Sequence, residues 1–462
     1  MHGRMNVVLL MALLIGFTFN LPTAAIQQRK PNIVFILADD LGYGDVGPYG
    51  QKLIKTPNID RLAAEGMKFT QAYGGGAVCA PSRSVLMTGL HTGHTPVRAN
   101  AGTIPLLPED LTVAEVLKSA GYKSGIFGKW GLGDAGSDGA PAKQGFDESF
   151  GYLHQIHAHT YYPEFLWKND RKYPLPGNLN GKQEQYSADL IASEALQFIR
   201  RHKSEPFFLY AAFTLPHGAY ELPNDEPYSA MNWPPAEKKY AAMVTRLDAQ
   251  VGAVMAVLKE LQLDEKTIVF FTSDNGGVSG ASHNTKFFRS NGDLRGEKAT
   301  LYEGGIREPM IVRWPGRVAA GATSDLAWAF CDFLPTAAEL ARVKAPPKLD
   351  GLSVLPALVG AKATGRAQPA HQFLYWEYQG YDRQTGMLRQ ATMSQAVRMG
   401  DWKALRLKPG APLELYNLRD DVGETTNVAA AHPEVIARIE AYLKTARTEP
   451  RPHNTGSFEY QR

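Results

Sequence analysis

Apolar residues fall in two rhythms along this chain. From about residue 31 to 345, short unbroken apolar runs alternate with stretches whose apolar positions recur every three or four residues. Pro31-Asn32-Ile33-Val34-Phe35-Ile36-Leu37-Ala38 is unbroken, as expected of a strand covered on both faces. Residues 123–127, 206–213, 267–272 and 310–314 predict further strands. Tyr240, Met243, Leu247, Val251, Val254 and Leu258 form one stripe and predict a long helix over 236–261. Thr56-Pro57 opens a helix ending near Gly66, with Thr as its cap. Thr112 with Glu115 predicts a capping box before a helix closed by Gly121.

Such alternation predicts an α/β architecture, a large mostly parallel sheet sandwiched by helices. The order changes after Ala345-Pro346-Pro347-Lys348. Short strand-like pieces at 374–377, 394–398 and 402–406 lie close together, and a helix starting at Pro433 carries Ile436, Ile439 and Leu443. A main domain over 26–345 is therefore expected to carry a smaller α+β domain over 346–462, built on a short antiparallel sheet.

Composition narrows the partners. The 462 residues are 44% hydrophobic and 21% charged, ordinary for a soluble protein. A net charge of +3 gives no footprint for nucleic acid and no polybasic membrane patch, so any attraction for an anion must be local. Residues 1–25 read as a secretory signal: Arg4, an apolar run over 7–19, then Thr23-Ala24-Ala25. That run is too short to span a bilayer comfortably, and no later stretch approaches it. The mature chain is expected to be soluble and exported, periplasmic or secreted. Of two cysteines, Cys331 sits in Phe330-Cys331-Asp332-Phe333 and reads as a small buried apolar residue; Cys79 is left for chemistry.

Polar residues cluster where strands end. The predicted strands run out into Asp39-Asp40-Leu41-Gly42, Lys129-Trp130-Gly131, Leu215-Pro216-His217 and Asp274-Asn275-Gly276-Gly277. Ligands of open parallel sheets bind beyond the carboxyl ends of strands, so these residues should share one crevice. Asp or Asn after a strand often only shapes a turn. Here Asp39, Asp40, Asp274 and Asn275 form a set of hard oxygen donors, which favours Ca²⁺ or Mg²⁺ over Zn²⁺. Arg83, Lys129, His217 and Lys298 supply a cationic side able to hold a tetrahedral anion.

Cys79 opens Cys79-Ala80-Pro81-Ser82-Arg83-Ser84-Val85-Leu86-Met87-Thr88-Gly89, where the chain enters a helix and free N–H groups suit anions. The run resembles the Cys-x-Pro-Ser-Arg signature of formylglycine-dependent sulfatases, relatives of alkaline phosphatase. Gly128-Lys129-Trp130, Pro216-His217, Ser273-Asp274-Asn275-Gly276, Gly296-Glu297-Lys298 and Glu303-Gly304-Gly305 match in the family's order. The resemblance implies sulfate ester hydrolysis. Asp39, Asp40, Asp274, Asn275 and the modified Cys79 would bind a divalent cation, usually Ca²⁺ and less often Mg²⁺. A maturation enzyme would convert Cys79 to an aldehyde whose hydrate attacks sulfur. His217 and Lys298 match the general acid that protonates the leaving alcohol, and Arg83 and Lys129 would steady the hydrate and the sulfate oxygens.

The chain departs from the family pattern at Gly131, where many sulfatases carry histidine. His157 or His159, in Gln155-Ile156-His157-Ala158-His159, is expected to supply an imidazole there and to bind substrate with Lys129 and Lys298. Tyr161, Tyr162, Trp167, Tyr375, Trp376 and Tyr378 place aromatic rings among polar residues, which suits a sulfated carbohydrate or the packing of the small domain. His91, Arg98 and Asn100 are weaker candidates for the pocket lining. Two rivals stand beside the sulfatase reading. Phosphoester hydrolysis on the related fold is disfavoured by cysteine in place of Ser or Thr, and a catalytically idle sulfated-glycan binder is suggested by Gly131.

Overall fold

The computed structural model describes residues 30–451 apart from 103, 281–282 and 383–384, so the expected signal over 1–25 lies outside the described residues. The strand Asn32–Ala38 lies within a ten-stranded sheet. It pairs in parallel with Phe207–Ala212 and with Thr267–Ser273, so that Phe35 faces both Tyr210 and Phe270. Its side chains divide between two cores: Ile33, Phe35 and Leu37 enter one, Val34, Ile36 and Ala38 the other. Two-sided burial explains the unbroken apolar run. The helix Phe333–Leu340 covers one face, its Phe333 ring 4.5 Å from Phe35. The helix Pro235–Glu260 covers the other and buries all six residues of the expected stripe. By length and apolarity that helix could cross a membrane, yet 72% of its most apolar window is buried inside the protein.

The expected parallel sheet forms at the centre, and antiparallel pairs join it toward both margins, making the whole mixed. Lys123–Lys129 runs parallel to Phe207–Ala212 and to Glu148–Tyr152, but Met310–Arg313 runs antiparallel to both Thr267–Ser273 and Met67–Phe69. At the far edge Phe165–Lys168 and Arg171–Pro174 form a hairpin, with Asn169 at φ 54° in its two-residue turn. A tight turn forces antiparallel pairing where a helical crossover would give parallel. The helix Pro57–Ala64 is also capped differently from expectation. Thr56 donates its hydroxyl to Asp60, while Asp248 of the long helix accepts from the N–H groups of Asn58 and Ile59 at 2.9 and 2.8 Å. The capping box of Thr112 and Glu115 forms as the spacing predicts.

Leu374–Tyr378, Ser394–Met399, Trp402–Arg406 and Glu414–Asn417 make a four-stranded antiparallel sheet. Tyr375, Val397 and Leu415 face the helix Pro433–Leu443, which buries Val435, Ile439 and Leu443 and leaves Ile436 half-buried. Trp376, Ala396 and Leu405 point the other way, into the first large core.

Candidate active site

Cys79 is the first residue of the helix Cys79–Thr88, all ten residues of which are buried. Its Sγ lies 3.4 Å from Asp39 Oδ1, 4.0 Å from Asp40 Oδ1 and 3.4 Å from Lys298 Nζ. Asn100 accepts from the Ala80 N–H at 2.8 Å, taking one of the free donors at the helix entrance. Ser82 donates to the Asp274 carbonyl at 2.5 Å and accepts from the Gly75 N–H at 2.9 Å, tying this helix to a neighbouring strand end. Burial, opposed by Lys129 and Lys298, pushes the Cys79 thiol up to about 12. Near neutral pH it is therefore a thiol rather than the nucleophilic thiolate.

Three buried carboxylates converge beside it. Asp39 Oδ2 accepts from Lys129 Nζ at 2.7 Å. Asp40, at φ 64°, accepts from Lys298 Nζ at 2.6 and 2.7 Å and from Asn275 Nδ2 at 2.8 Å. Asp274 Oδ2 accepts from Arg83 Nε and Nη2 at 3.1 and 2.8 Å. Burial alone would raise Asp39, but Lys129, His217 and Arg83 outweigh it and hold the carboxyl well below its usual range. Asp274, pushed up by burial and by Asp39, lies at about 6. Asn275 Oδ1 is buried with no hydrogen-bond partner among the described residues. An orphaned oxygen amid crowded carboxylates fits a divalent, oxygen-seeking cation. Ligand atoms of Asp39, Asp40, Cys79 and His217 lie within 4.8 Å of one another.

The cationic groups arrive on strand ends and loops. Gly128, at φ 124°, runs so close to the neighbouring strand that a Cβ there would lie 1.8 Å from the Ala212 carbonyl oxygen. Only glycine admits that approach, which delivers Lys129 to Asp39. Arg83 is wholly buried, and its nitrogens are committed to Asp274, the Lys129 carbonyl and, at 3.5 Å, Asp39. It braces the carboxylates. Lys298 is fixed through its backbone N–H on Gly277, and Asn291 stitches Gly277 to Gly296. His217 Nδ1 faces the Gly218 carbonyl at 2.6 Å, leaving Nε2 3.4 Å from Asp40. Tyr161 donates to the carbonyls of Thr214 and His217 at 2.6 and 2.9 Å, pinning that turn from the core.

The expected site residues thus meet, with exceptions at the rim. His159 stacks on His217 at 4.8 Å between ring centres. His157 instead packs between Tyr152 and Phe165, at 5.0 and 4.7 Å, and burial pushes it down to about 4. The space a side chain at Gly131 would fill is taken by Gln155, whose Nε2 is 1.9 Å from an ideal Cβ there. Among the aromatics, Tyr161, Tyr375 and Trp376 are buried supports, with Trp376 donating to the Gly74 carbonyl at 3.0 Å; Tyr162, Trp167 and Tyr378 are half-buried. His91 is paired with Asp350, and Arg98 with Glu377 and Thr448, so both serve the architecture. Sequence reasoning gave no role to Ser82, Asn291 or Gln155. Ser82 stood inside the quoted signature, whereas the other two carry no local signal.

Comparison with known proteins agrees with this geometry. The sulfatase family pattern matches residues 31–343, and the pattern described as N-sulphoglucosamine sulphohydrolase, C-terminal, matches 296–449. The chain is 36% identical over 370 residues to N-acetylgalactosamine-6-sulfatase of Canis lupus familiaris, covering 74% of this chain and 69% of that one. It is 36% identical over 462 residues to arylsulfatase A of Homo sapiens, covering 89% and 87%. Among solved structures, Ps i-CgsB in complex with k-i-k-neocarrahexaose superposes with a TM-score of 0.78 at 29% identity, over 91% of this chain and 94% of that one. Fold and site define a sulfuric ester hydrolase. The chain belongs to the sulfatase family.

Proposed function

We propose that this protein releases sulfate from a sulfated carbohydrate, using a formylglycine made from Cys79 and a divalent cation held by Asp39, Asp40, Asp274 and Asn275. The observation that carries this reading is the position of Cys79 Sγ, 3.4 Å from a carboxylate on one side and 3.4 Å from an ammonium on the other. Oxidised to the aldehyde and hydrated, position 79 would supply a hydroxyl nucleophile, and the cation, Ca²⁺ before Mg²⁺, would supply positive charge toward the sulfate.

The chain's own residues do the rest. The charges of Asp39, Asp40 and Asp274 are matched by those of Arg83, Lys129 and Lys298. A bound divalent cation therefore leaves an excess positive charge that a sulfate can offset. Burial opposes the charge on Lys298, but the Asp40 and Asp39 carboxylates outweigh it and keep the ammonium protonated beside Sγ. There it donates to the sulfate oxygens. His217 donates its Nδ1–H to a carbonyl that can only accept, which aims Nε2 at the cage; burial lowers the pKa of the ring against the pull of Asp40 and Asp39, so Nε2 protonates the leaving alcohol from the imidazolium form.

A carbohydrate is supported by the similarity to N-acetylgalactosamine-6-sulfatase and to a structure holding k-i-k-neocarrahexaose. Export is supported by the signal-like residues 1–25. Mass spectrometry of the Cys79 peptide from an active native preparation should find the aldehyde; unmodified thiol throughout overturns the mechanism. Turnover of an aryl sulfate should far exceed that of an aryl phosphate and should be lost on chelation and regained with Ca²⁺. Tight binding of sulfated sugars without sulfate release, once Cys79 is converted, establishes the idle-binder alternative instead.

A further inference from the structure

Gln155 is only 4% exposed, and neither its Nε2 nor its Oε1 has a hydrogen-bond partner among the described residues. An amide buried without partners is destabilising, so it calls for a partner from beyond the described residues, an ordered water or a ligand. The surroundings say which ligand. Gly131, at φ 78°, leaves the room that the Gln155 amide fills, and any side chain at 131 would expel it. Two residues earlier Lys129 holds Asp39, and the backbone N–H groups of Trp130 and Gly131 bond to the carbonyls of Tyr152 and Leu153, just before Gln155. On its other side the segment leads to His159, stacked on His217. Gln155 therefore sits between the Lys129 turn and the histidine pair, both of which border the cage around Cys79.

We propose that Gln155 is a specificity-determining residue that reads the sulfate ester together with a hydroxyl beside it. Nε2–H donates to a non-bridging sulfate oxygen, and Oε1 accepts from a hydroxyl on an adjacent carbon of the sugar. Inorganic sulfate offers only acceptors and satisfies one end of the amide; a sugar sulfate with a neighbouring free hydroxyl satisfies both. The assignment rests on the sulfatase reading and names the substrate class for it. It also distinguishes this chain chemically from an enzyme with imidazole at this place. A carboxamide does not titrate near neutral pH, so its hold on sulfate is independent of pH there.

The test is the Gln155→Leu variant of the converted enzyme, with Gln155→Glu beside it. Leucine keeps the bulk but removes the unmet polar atoms, so the unliganded variant should melt at the same temperature as wild type or higher. Inhibition by inorganic sulfate should weaken about 10- to 100-fold, the usual range for losing a hydrogen bond to a charged group. The loss in kcat/KM should be larger on a sugar sulfate with a neighbouring hydroxyl than on an aryl sulfate that has none. In Gln155→Glu, sulfate inhibition should strengthen as pH falls and the new carboxyl gains a proton. Unchanged sulfate inhibition in Gln155→Leu overturns the proposal, as does a lower melting temperature with unaltered kinetics, which would make Gln155 a packing residue. The rise in melting temperature produced by sulfate reads the same contact without turnover. An inert wild type would therefore sink the hydrolase reading, while the sulfate shift still decides the role of Gln155.

Discussion

One loop carries two buried clusters of charge with opposite character. Lys298 reaches the Asp40 carboxylate in the site, and a few residues later Glu303 reaches Lys403 of the C-terminal sheet. The second cluster pairs its charges within the protein. Glu303 accepts from Lys403 at 2.8 Å, Tyr73 at 2.8 Å and Arg307 at 3.0 Å, while Glu424 accepts from the Glu303 N–H at 2.6 Å and sits 2.9 Å from Lys403. The first cluster leaves Asn275 Oδ1 and, at its rim, both ends of the Gln155 amide unmet. In the structural network the one such oxygen, Glu424 Oε1, still lies 2.9 Å from the Lys403 ammonium, so a protein charge answers it; the unmet atoms of the first cluster face no such protein charge among the described residues. The difference between them lies in what answers those atoms, since both are buried.

The sharpest way to break this comparison is Cys79→Ala. Sulfate release should fall by about 10⁴- to 10⁶-fold, as when a covalent nucleophile is removed, with little change in the melting temperature. Retained turnover would return the site to ordinary side-chain chemistry. His217→Ala should lower kcat by about 10²- to 10⁴-fold on a sugar sulfate, and by less on an aryl sulfate whose phenolate leaves without a proton. An equal loss on both removes His217 as the acid. Lys403→Met tests the second cluster: stranding Glu303 and Glu424 should reduce unfolding free energy by about 3–5 kcal/mol while KM of the folded enzyme holds. The smallest effect belongs to His91, away from both clusters. Burial, helped by His94 and opposed by Asp350, pushes this residue down to about 4. The unfolded chain, with its ordinary value near 6.5, takes up the proton first as pH falls. Stability should therefore drop between pH 6.5 and 4, by up to roughly 3 kcal/mol, and His91→Gln should flatten that slope in urea titrations.

What the sequence disclosed follows the same physics. Strands at the centre of the sheet were legible because burial on both faces demands unbroken apolar residues, and their polar ends marked Asp39, Lys129, His217 and Asp274. Met67–Phe69 and Ala322–Ser324 were not, being three-residue strands too short to show a period. Glu414–Asn417 was missed because only its Leu415 and Tyr416 are buried. The terminal helix was placed correctly but read one position off, since Val435 and Ile436 are interchangeable by hydrophobicity and only packing selects Val435. Gln155 was invisible because its setting is made by a glycine distant in the chain, and an imidazole nearby drew the eye instead. His157 proved to be core.

The helix bearing Cys79 has no solvent-facing side: each of its residues, from Cys79 to Thr88, lies inside the protein. A reactive group carried this way is anchored like a tooth in its socket, with no hinge along which it could travel. The ester must come to it. Differences in appetite among enzymes built on this plan are then expected in the borders around the socket, where residues such as His159 and Gln155 can be exchanged without loosening the anchored helix.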